Sequence, residues 1–252
     1  MWRNTRMVVL TAICAALYAA ILIPFKVVPL IPGITEFRPA NAVPVVCSLL
    51  FGPAAAWGAA FGNLIGDFFG GLGPGDLFGF TGNLLYGLVP YLVRDAVTQS
   101  GPVPHRPLGW VALLALIALA SMLCATVVGW GLQMLGFQVF GVLGTLVFFN
   151  NFVTAAVLAP MLLVVLHPRV AKARLSYRDL LGPRPRLPLW RRTLGVAGVI
   201  GGTVGGFVAG QMISSHQWVV PWVAGASASG SWEVGLGVLP FLLLAVAGLA
   251  LL

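Results

Sequence analysis

The sequence predicts an all-α integral membrane protein. Three observations carry that prediction: 59% of the 252 residues are hydrophobic, only 8% are charged, and the mean hydropathy is +0.99. A soluble domain of this size has no place for so much apolar side chain. The apolar residues also fall in long uncharged runs of about 20 residues, the length of a bilayer-spanning helix, whereas a transmembrane β-barrel would show ~10-residue alternating strands.

The first run, residues 7–25, follows Arg3 and Arg6 and stops at Lys26. It is too long for the apolar region of a secretory signal and further runs follow at once, so it reads as a span. A Pro-rich loop, 26–40, carries Glu36 and Arg38. The chain re-enters over 41–51, turns tightly at Gly52-Pro53, and continues over 54–71; the first of this pair is short for a full crossing. A glycine-rich turn, 71–76, leads into 77–93, which stops at Arg94, and 108–135 and 137–166 follow, hinged at Gly136. Residues 167–192 hold eight arginines and lysines against Asp179 and read as a basic linker, after which 193–213 and 234–252 add two more apolar runs.

Orientation follows from the alternating loops, since cytoplasmic loops carry the excess of Lys and Arg. With both termini inside, the inner segments hold Arg3, Arg6, Arg94, Arg106 and the eight cations of the linker, and the outer ones hold Lys26 and Arg38. This places the protein in the cell membrane as a multi-pass chain. The net charge of +8 is then read as orientation and contact with anionic head groups of the lipid bilayer, not as a nucleic-acid surface.

Enzyme chemistry finds few footholds. His105, His167 and His216 are assigned to loops, and the sequence holds no HExxH, no GxSxG elbow and no phosphate-cradling P-loop. Cys14, Cys47 and Cys124 lie in apolar runs without CxxC spacing and read as small buried side chains. No catalytic residue, metal ligand or cofactor is assigned, and any driving force must come from an ion gradient or from partner subunits.

Polar residues inside spans are costly and therefore point to function. Asn63 and Asp67, four apart, share one helix face. With Asn83, Tyr86 and Asn150 in later spans, and Glu36, Arg38 and Asn41 at the outer mouth, they suggest a polar pocket open to the outside; hydrogen bonding between neighbouring helices, with Arg38 paired to Asp67 or Glu36, is the alternative. Small residues form a second pattern. Gly58, Gly62, Gly66 and Gly70 recur every fourth position, as do Gly198, Gly202, Gly206 and Gly210. In the first run Ala12, Ala16 and Ala20 make one stripe and Ala15 and Ala19 another. Such stripes either pack helices within the chain or dock a partner.

The run Glu36-Phe37-Arg38-Pro39, with Pro44, Leu50-Phe51-Gly52-Pro53, Gly58, Gly62-Asn63 and Asp67, resembles the substrate-binding S components of energy-coupling factor (ECF) transporters. Together with Gly79-Phe80-Thr81-Gly82-Asn83-Leu84-Leu85-Tyr86 it looks closest to the queuosine-precursor (QueT-like) group. The resemblance covers residues 1–168 and implies a six-helix substrate-binding core; the chain departs from ordinary members in the pair of transmembrane helices over 193–252 that follows the basic cytoplasmic linker over 169–192. It further implies a vitamin or nucleobase-like small molecule held at the outer face by Glu36, Arg38, Asn41, Asn63, Asp67, Asn83, Tyr86 and Asn150. The alanines Ala12, Ala15, Ala16, Ala19 and Ala20 look like the face that docks on a transmembrane coupling subunit with two ATPase subunits. On that complex the S component topples and carries its ligand inward.

Two other classes compete with this reading. One is a stand-alone secondary transporter driven by protons or sodium, with Asp67 as the coupling carboxylate; the other is a non-transporting membrane scaffold. The two C-terminal runs read as a structural addition, with partner binding as the alternative, and Trp218, Trp222 and Trp232 suit an interfacial aromatic belt.

Overall fold

The computed structural model describes residues 1–26, 29–31, 35–36, 38–98, 101–182, 187–220 and 231–252, with backbone alone at 29–31, 35–36 and 231. In chain order these form α1 (Thr5–Phe25), a hairpin of β1 (Pro29–Ile31) and β2 (Thr35–Glu36), a 3₁₀ turn (Pro39–Asn41), α2 (Ala42–Phe51), α3 (Pro53–Phe68), α4 (Asp76–Val97), α5 (Pro107–Met134), α6 (Phe140–Lys172), α7 (Tyr177–Leu181), α8 (Leu189–Ser214) and α9 (Ser231–Leu251). The protein is an all-α integral membrane protein, with the small antiparallel hairpin set into its first loop.

Helices α1, α5, α6, α8 and α9 contain stretches long and apolar enough to cross a membrane. The other three that were read as spans fall short of that measure, and each for a visible reason. Helix α2 has 10 residues, about 15 Å, or half the hydrocarbon thickness. Helix α3 has 16 residues, and α4 carries Asp76, Asn83, Arg94 and Asp95. Short or polar segments are tolerated at membrane depth where protein or a cavity, and not lipid, surrounds them. Nine of the ten residues of α2 are buried accordingly.

Helix–helix contact is set by small residues. A Cβ on Gly58 would lie 3.0 Å from Thr11 O, one on Gly62 would lie 2.7 Å from Ala15 O, and one on Gly70 would lie 2.7 Å from Lys26 Nζ. The glycine ladder of α3 therefore presses backbone to backbone against α1, and Ala15 and Ala19 are buried in that contact. Ala12, Ala16 and Ala20 lie on the opposite, exposed face of α1. The two alanine stripes thus have different fates, and Ala15 and Ala19 are not available to a partner on the outer face.

The second glycine ladder does the same work between α8 and α9. Gly202 faces Phe241 O, and Gly248 faces Gly195 O at 2.7 Å from where a Cβ would be. This pair then leans on α5 and α6: Trp130 Nε1 donates to Gly235 O at 2.8 Å, and Gln211 Nε2 donates to Thr145 Oγ1 at 2.8 Å.

The basic linker is more ordered than the sequence reading has it. Helix α6 runs on to Lys172, placing Arg169 and Lys172 in its last turn, where cations complement the helix dipole. His167 consequently sits in a helix and not in a loop. Helix α7 starts with a capping box between Ser176 and Asp179. Its Tyr177 ring occupies the space left by Gly52, whose φ of 56° and missing side chain admit it. The Tyr177 hydroxyl donates to Asp95 Oδ1 at 2.6 Å, and Asn4 Nδ2 donates to Leu180 O at 3.1 Å. Burial, reinforced by Asp95, pushes the Tyr177 phenol up to about 12, so it remains a donor. Helix α7 thereby ties together the α1 start, the α2–α3 turn and the α4 end. Trp232 belongs to the first turn of α9, while Arg184, Arg186 and Trp222 lie outside the described residues.

Adding one methyl group to either ladder is expected to destabilise the protein. Gly62→Ala and Gly202→Ala each drive a Cβ into backbone atoms, at a cost of about 1–3 kcal/mol, and should lower the thermal unfolding midpoint in detergent. Gly201→Ala is the control, because nothing lies within 4 Å of its Cβ position, and it should leave the midpoint unchanged or slightly raised.

Candidate ligand-binding cavity

A cavity of about 330 Å³ opens at the end of the bundle opposite α7. Its polar lining comes from Tyr18 of α1, Arg38 before the 3₁₀ turn, Asn41, Asn63 and Asp67 of α3, Asp76 and Asn83 of α4, and Asn150 and Asn151 of α6; Cys124, Val128, Leu132, Phe137, Leu143 and Val147 supply most of the apolar side. The shortness of α2 contributes to this opening. The 3₁₀ turn feeds α2 at Asn41, and Asn41 lines the cavity.

Asn41 is the hub of the buried network. Its Oδ1 accepts from the Tyr18 hydroxyl at 3.0 Å, its Nδ2 donates to Asn151 Oδ1 at 2.6 Å, and its backbone carbonyl accepts from the Tyr86 hydroxyl at 3.0 Å. The Tyr18 hydroxyl also lies 3.1 Å from Asn83 Oδ1, while Asn83 Nδ2 donates to Gly79 O at 2.9 Å. Helices α1, α4 and α6 are therefore stitched to the 3₁₀ turn through one residue, in surroundings where an unmet polar group is expensive.

A second cluster lies on α3. Asp67 Oδ1 pairs with Lys26 Nζ at 3.1 Å, both side chains being 13% exposed, and Asp67 Oδ2 accepts from Asn63 Nδ2 at 2.6 Å. Two glycines make room for it. A Cβ on Gly70 would displace the Lys26 ammonium, and one on Gly79 would stand 3.0 Å from Asn63 Nδ2.

Of the eight residues proposed from sequence to hold a ligand, the structure brings Arg38, Asn41, Asn63, Asp67, Asn83 and Asn150 to the same cavity. Tyr86 stands behind it, fully buried, with its hydroxyl turned to the backbone of Asn41. The side chain of Glu36 lies outside the described residues. Asn150 Oδ1 accepts from the backbone N–H of Arg38 at 3.4 Å, so α6 holds the chain where it enters the 3₁₀ turn. Gln133, near the end of α5, closes the α5–α6 turn by accepting from Phe140 N at 2.5 Å.

Sequence reasoning assigned Tyr18 to a packing helix and Lys26 to a loop boundary, and gave no ligand role to Asn151 or Asp76. A signal for the first two was present. Tyr18 and Lys26 are eight apart, and with Cys14 before them and Leu22 between them they continue the stripe that faces Gly58, Gly62, Gly66 and Gly70. Among the described residues no group of three or more His, Cys, Asp or Glu could hold a metal ion.

Replacing Tyr18 by Phe keeps the ring and removes the hydroxyl. Two buried carboxamide oxygens then lose their shared donor, and the expected loss of stability is about 1–3 kcal/mol, read as a lower unfolding midpoint in detergent.

Comparison with curated proteins returns no match. Comparison with solved structures likewise returns none. The family model described as QueT transporter matches residues 8–168, a stretch that begins in α1, contains every residue lining the cavity, and ends within α6. With well over half of its length accounted for in this way, the chain belongs to the QueT transporter family.

Proposed function

We propose that the chain is the substrate-binding S component of an ATP-driven ECF-type importer, capturing a vitamin or nucleobase-like molecule in the cavity. The observation that carries this reading is the lining itself: Arg38, Asp67 and Asp76 stand with the carboxamides of Asn41, Asn63, Asn83, Asn150 and Asn151 around about 330 Å³. That volume is at the small end of ligand pockets, suited to a compact heterocycle. Carboxamides offer paired donor and acceptor positions that match the edges of bases, and a site built from buried polar groups rejects ligands that leave those groups unpaired.

Orientation supports the same reading. Arg3, Arg6, Arg94, Arg106, Arg169, Lys172, Arg174 and Arg178 sit at the helix ends away from the cavity, and an excess of cations marks the cytoplasmic side. The cavity then faces outward, with both termini inside. The residues 1–168 act as the binding core, 169–192 as the cytoplasmic connection, and 193–252 as an addition to it. The exposed stripe Ala12, Ala16 and Ala20, flanked by exposed Val9, Ile13 and Leu17, is the face on which a coupling subunit with its two ATPases would dock, since small residues let a partner helix approach closely.

The competing ion-coupled transporter needs Asp67 to release and rebind its cation. In this structure the Asp67 carboxylate has one oxygen on Lys26 and the other on Asn63, which favours a fixed structural anion.

Native mass spectrometry of the protein drawn gently from its own membranes tests the site. A retained small molecule is expected, and the double variant Arg38→Ala, Asp67→Ala should lose it. A wild-type protein with no ligand, together with uptake that collapses with the ion gradient and ignores ATP, would overturn the reading. Docking is tested separately. Ala12→Leu with Ala16→Leu should reduce recovery of the coupling subunit at least about tenfold while ligand stays bound, because bulk on that stripe blocks close helix approach.

A further inference from the structure

The carboxamides around the cavity are not equivalent. Asn41 Oδ1 and Asn83 Oδ1 share the Tyr18 hydroxyl, Asn150 Oδ1 accepts from Arg38 N, and Asn151 Oδ1 accepts from Asn41 Nδ2. Asn63 differs from these four. The residue is 2% exposed, and its Oδ1 is buried with no hydrogen-bond partner among the described residues.

The orientation of that amide is dictated by its neighbour. Asp67 is ion-paired with Lys26 through Oδ1, and an ionised carboxylate can only accept. Asn63 must therefore turn its NH₂ toward Asp67 Oδ2, where it sits at 2.6 Å, and its oxygen the other way. Gly79, across from the pair, supplies no side chain that could serve the oxygen. A buried acceptor without a donor is a standing penalty that a donor-bearing molecule in the adjoining cavity relieves.

We propose that Lys26 and Asp67 act as positioning residues that hold Asn63 with its carboxamide oxygen as the acceptor for an N–H group of the ligand, so that the site selects planar heterocycles carrying such a donor. The inference rests on the cavity being the ligand site. It goes beyond that reading by fixing one hydrogen bond, its direction, and the chain of side chains that enforces it. Lys26 orders Asp67, Asp67 orders Asn63, and Asn63 reads the ligand. The glycines at 70 and 79 leave the space the three side chains need.

Equilibrium binding to the purified full-length chain tests this with 7-deazaguanine as the probe, beside forms methylated at N1, at N9, or twice on the exocyclic amine. Wild-type protein is expected to bind the parent and to discriminate against at least one methylated form by about tenfold or more, the usual scale when a buried polar group loses its partner. Asp67→Asn lets the Asn63 amide face either way, since its own amide both donates and accepts. It should weaken the parent and collapse the discrimination ratio to about threefold or less, and Lys26→Met should move the ratio in the same direction. A merely structural role would weaken all probes equally and leave the ratio intact, and that result would overturn the inference. So would wild-type protein that binds every methylated form as well as the parent, a measurement that needs no variant to fold. No binding of any probe to wild-type protein would instead overturn the proposed ligand class, and the inference with it.

Discussion

The close approach of α1 to α3 is the contact on which the rest of the binding end depends. Lipid tails are as apolar as the side chains they surround, so helices in a bilayer gain little from burying hydrocarbon and associate where backbones can come near one another. Gly58 and Gly62 provide that nearness on α3, and Gly66, with Gly70 just beyond the helix, leaves room for the Leu22 and Lys26 side chains. Because the face they admit reads Thr11, Cys14, Ala15, Tyr18, Leu22 and Lys26, one packing decision delivers a hydroxyl to the cavity and an ammonium to the Asp67 carboxylate that lines it. A bulkier α3 would hold α1 away and separate Tyr18 from Asn41 and Asn83, and Lys26 from Asp67.

The same economy explains why the central helix is short. A ten-residue α2 cannot cross the bilayer alone, and its neighbours α1, α3, α4 and α6 enclose it. Asn41, at its N-terminal end, lines the cavity together with residues of α1, α3, α4 and α6. The backbone there stays satisfied: Tyr86 serves the Asn41 carbonyl, and Ser48 Oγ donates to Gly87 O at 2.6 Å lower down. Non-standard backbone and short helices persist at membrane depth on that condition.

Much of this was legible in the sequence, and the parts that were not share a cause. Hydropathy located every long helix, and the charge pattern placed the cations at one end. Polar residues inside apolar runs pointed to the cavity because their cost in a bilayer singles them out. Tyr18 escaped notice because tyrosine in a span is unremarkable until its partners are known, and Lys26 because a cation at a helix end reads as a boundary. The alternative reading therefore gave Asp67 the loop residue Arg38 as its partner, when the helix that packs on α3 brings Lys26 to it. Stripes of small residues likewise announce close packing without saying what packs. Only the rotation of α1 against α3 separates Ala15 and Ala19, which face inward, from Ala12, Ala16 and Ala20, which face out.

That rotation also bears on the two C-terminal helices, whose placement decides whether the outward face of α1 stays exposed. Helices α8 and α9 lock to one another through their glycines and rest chiefly on α5, with lesser contacts to α4 and α6. Helix α1 packs on α2, α3, the 3₁₀ turn and α7. The added pair thus braces the α5–α6 hairpin, whose Leu132, Leu143 and Val147 form the apolar wall of the cavity, and it does so on a flank that α1 does not share. Phe140, fully buried between the hairpin and Gly210 of α8, is where the brace meets the wall. An insertion against α1 would have covered the exposed alanine stripe. Seated on the far flank, α8 and α9 support the cavity wall and leave that stripe uncovered.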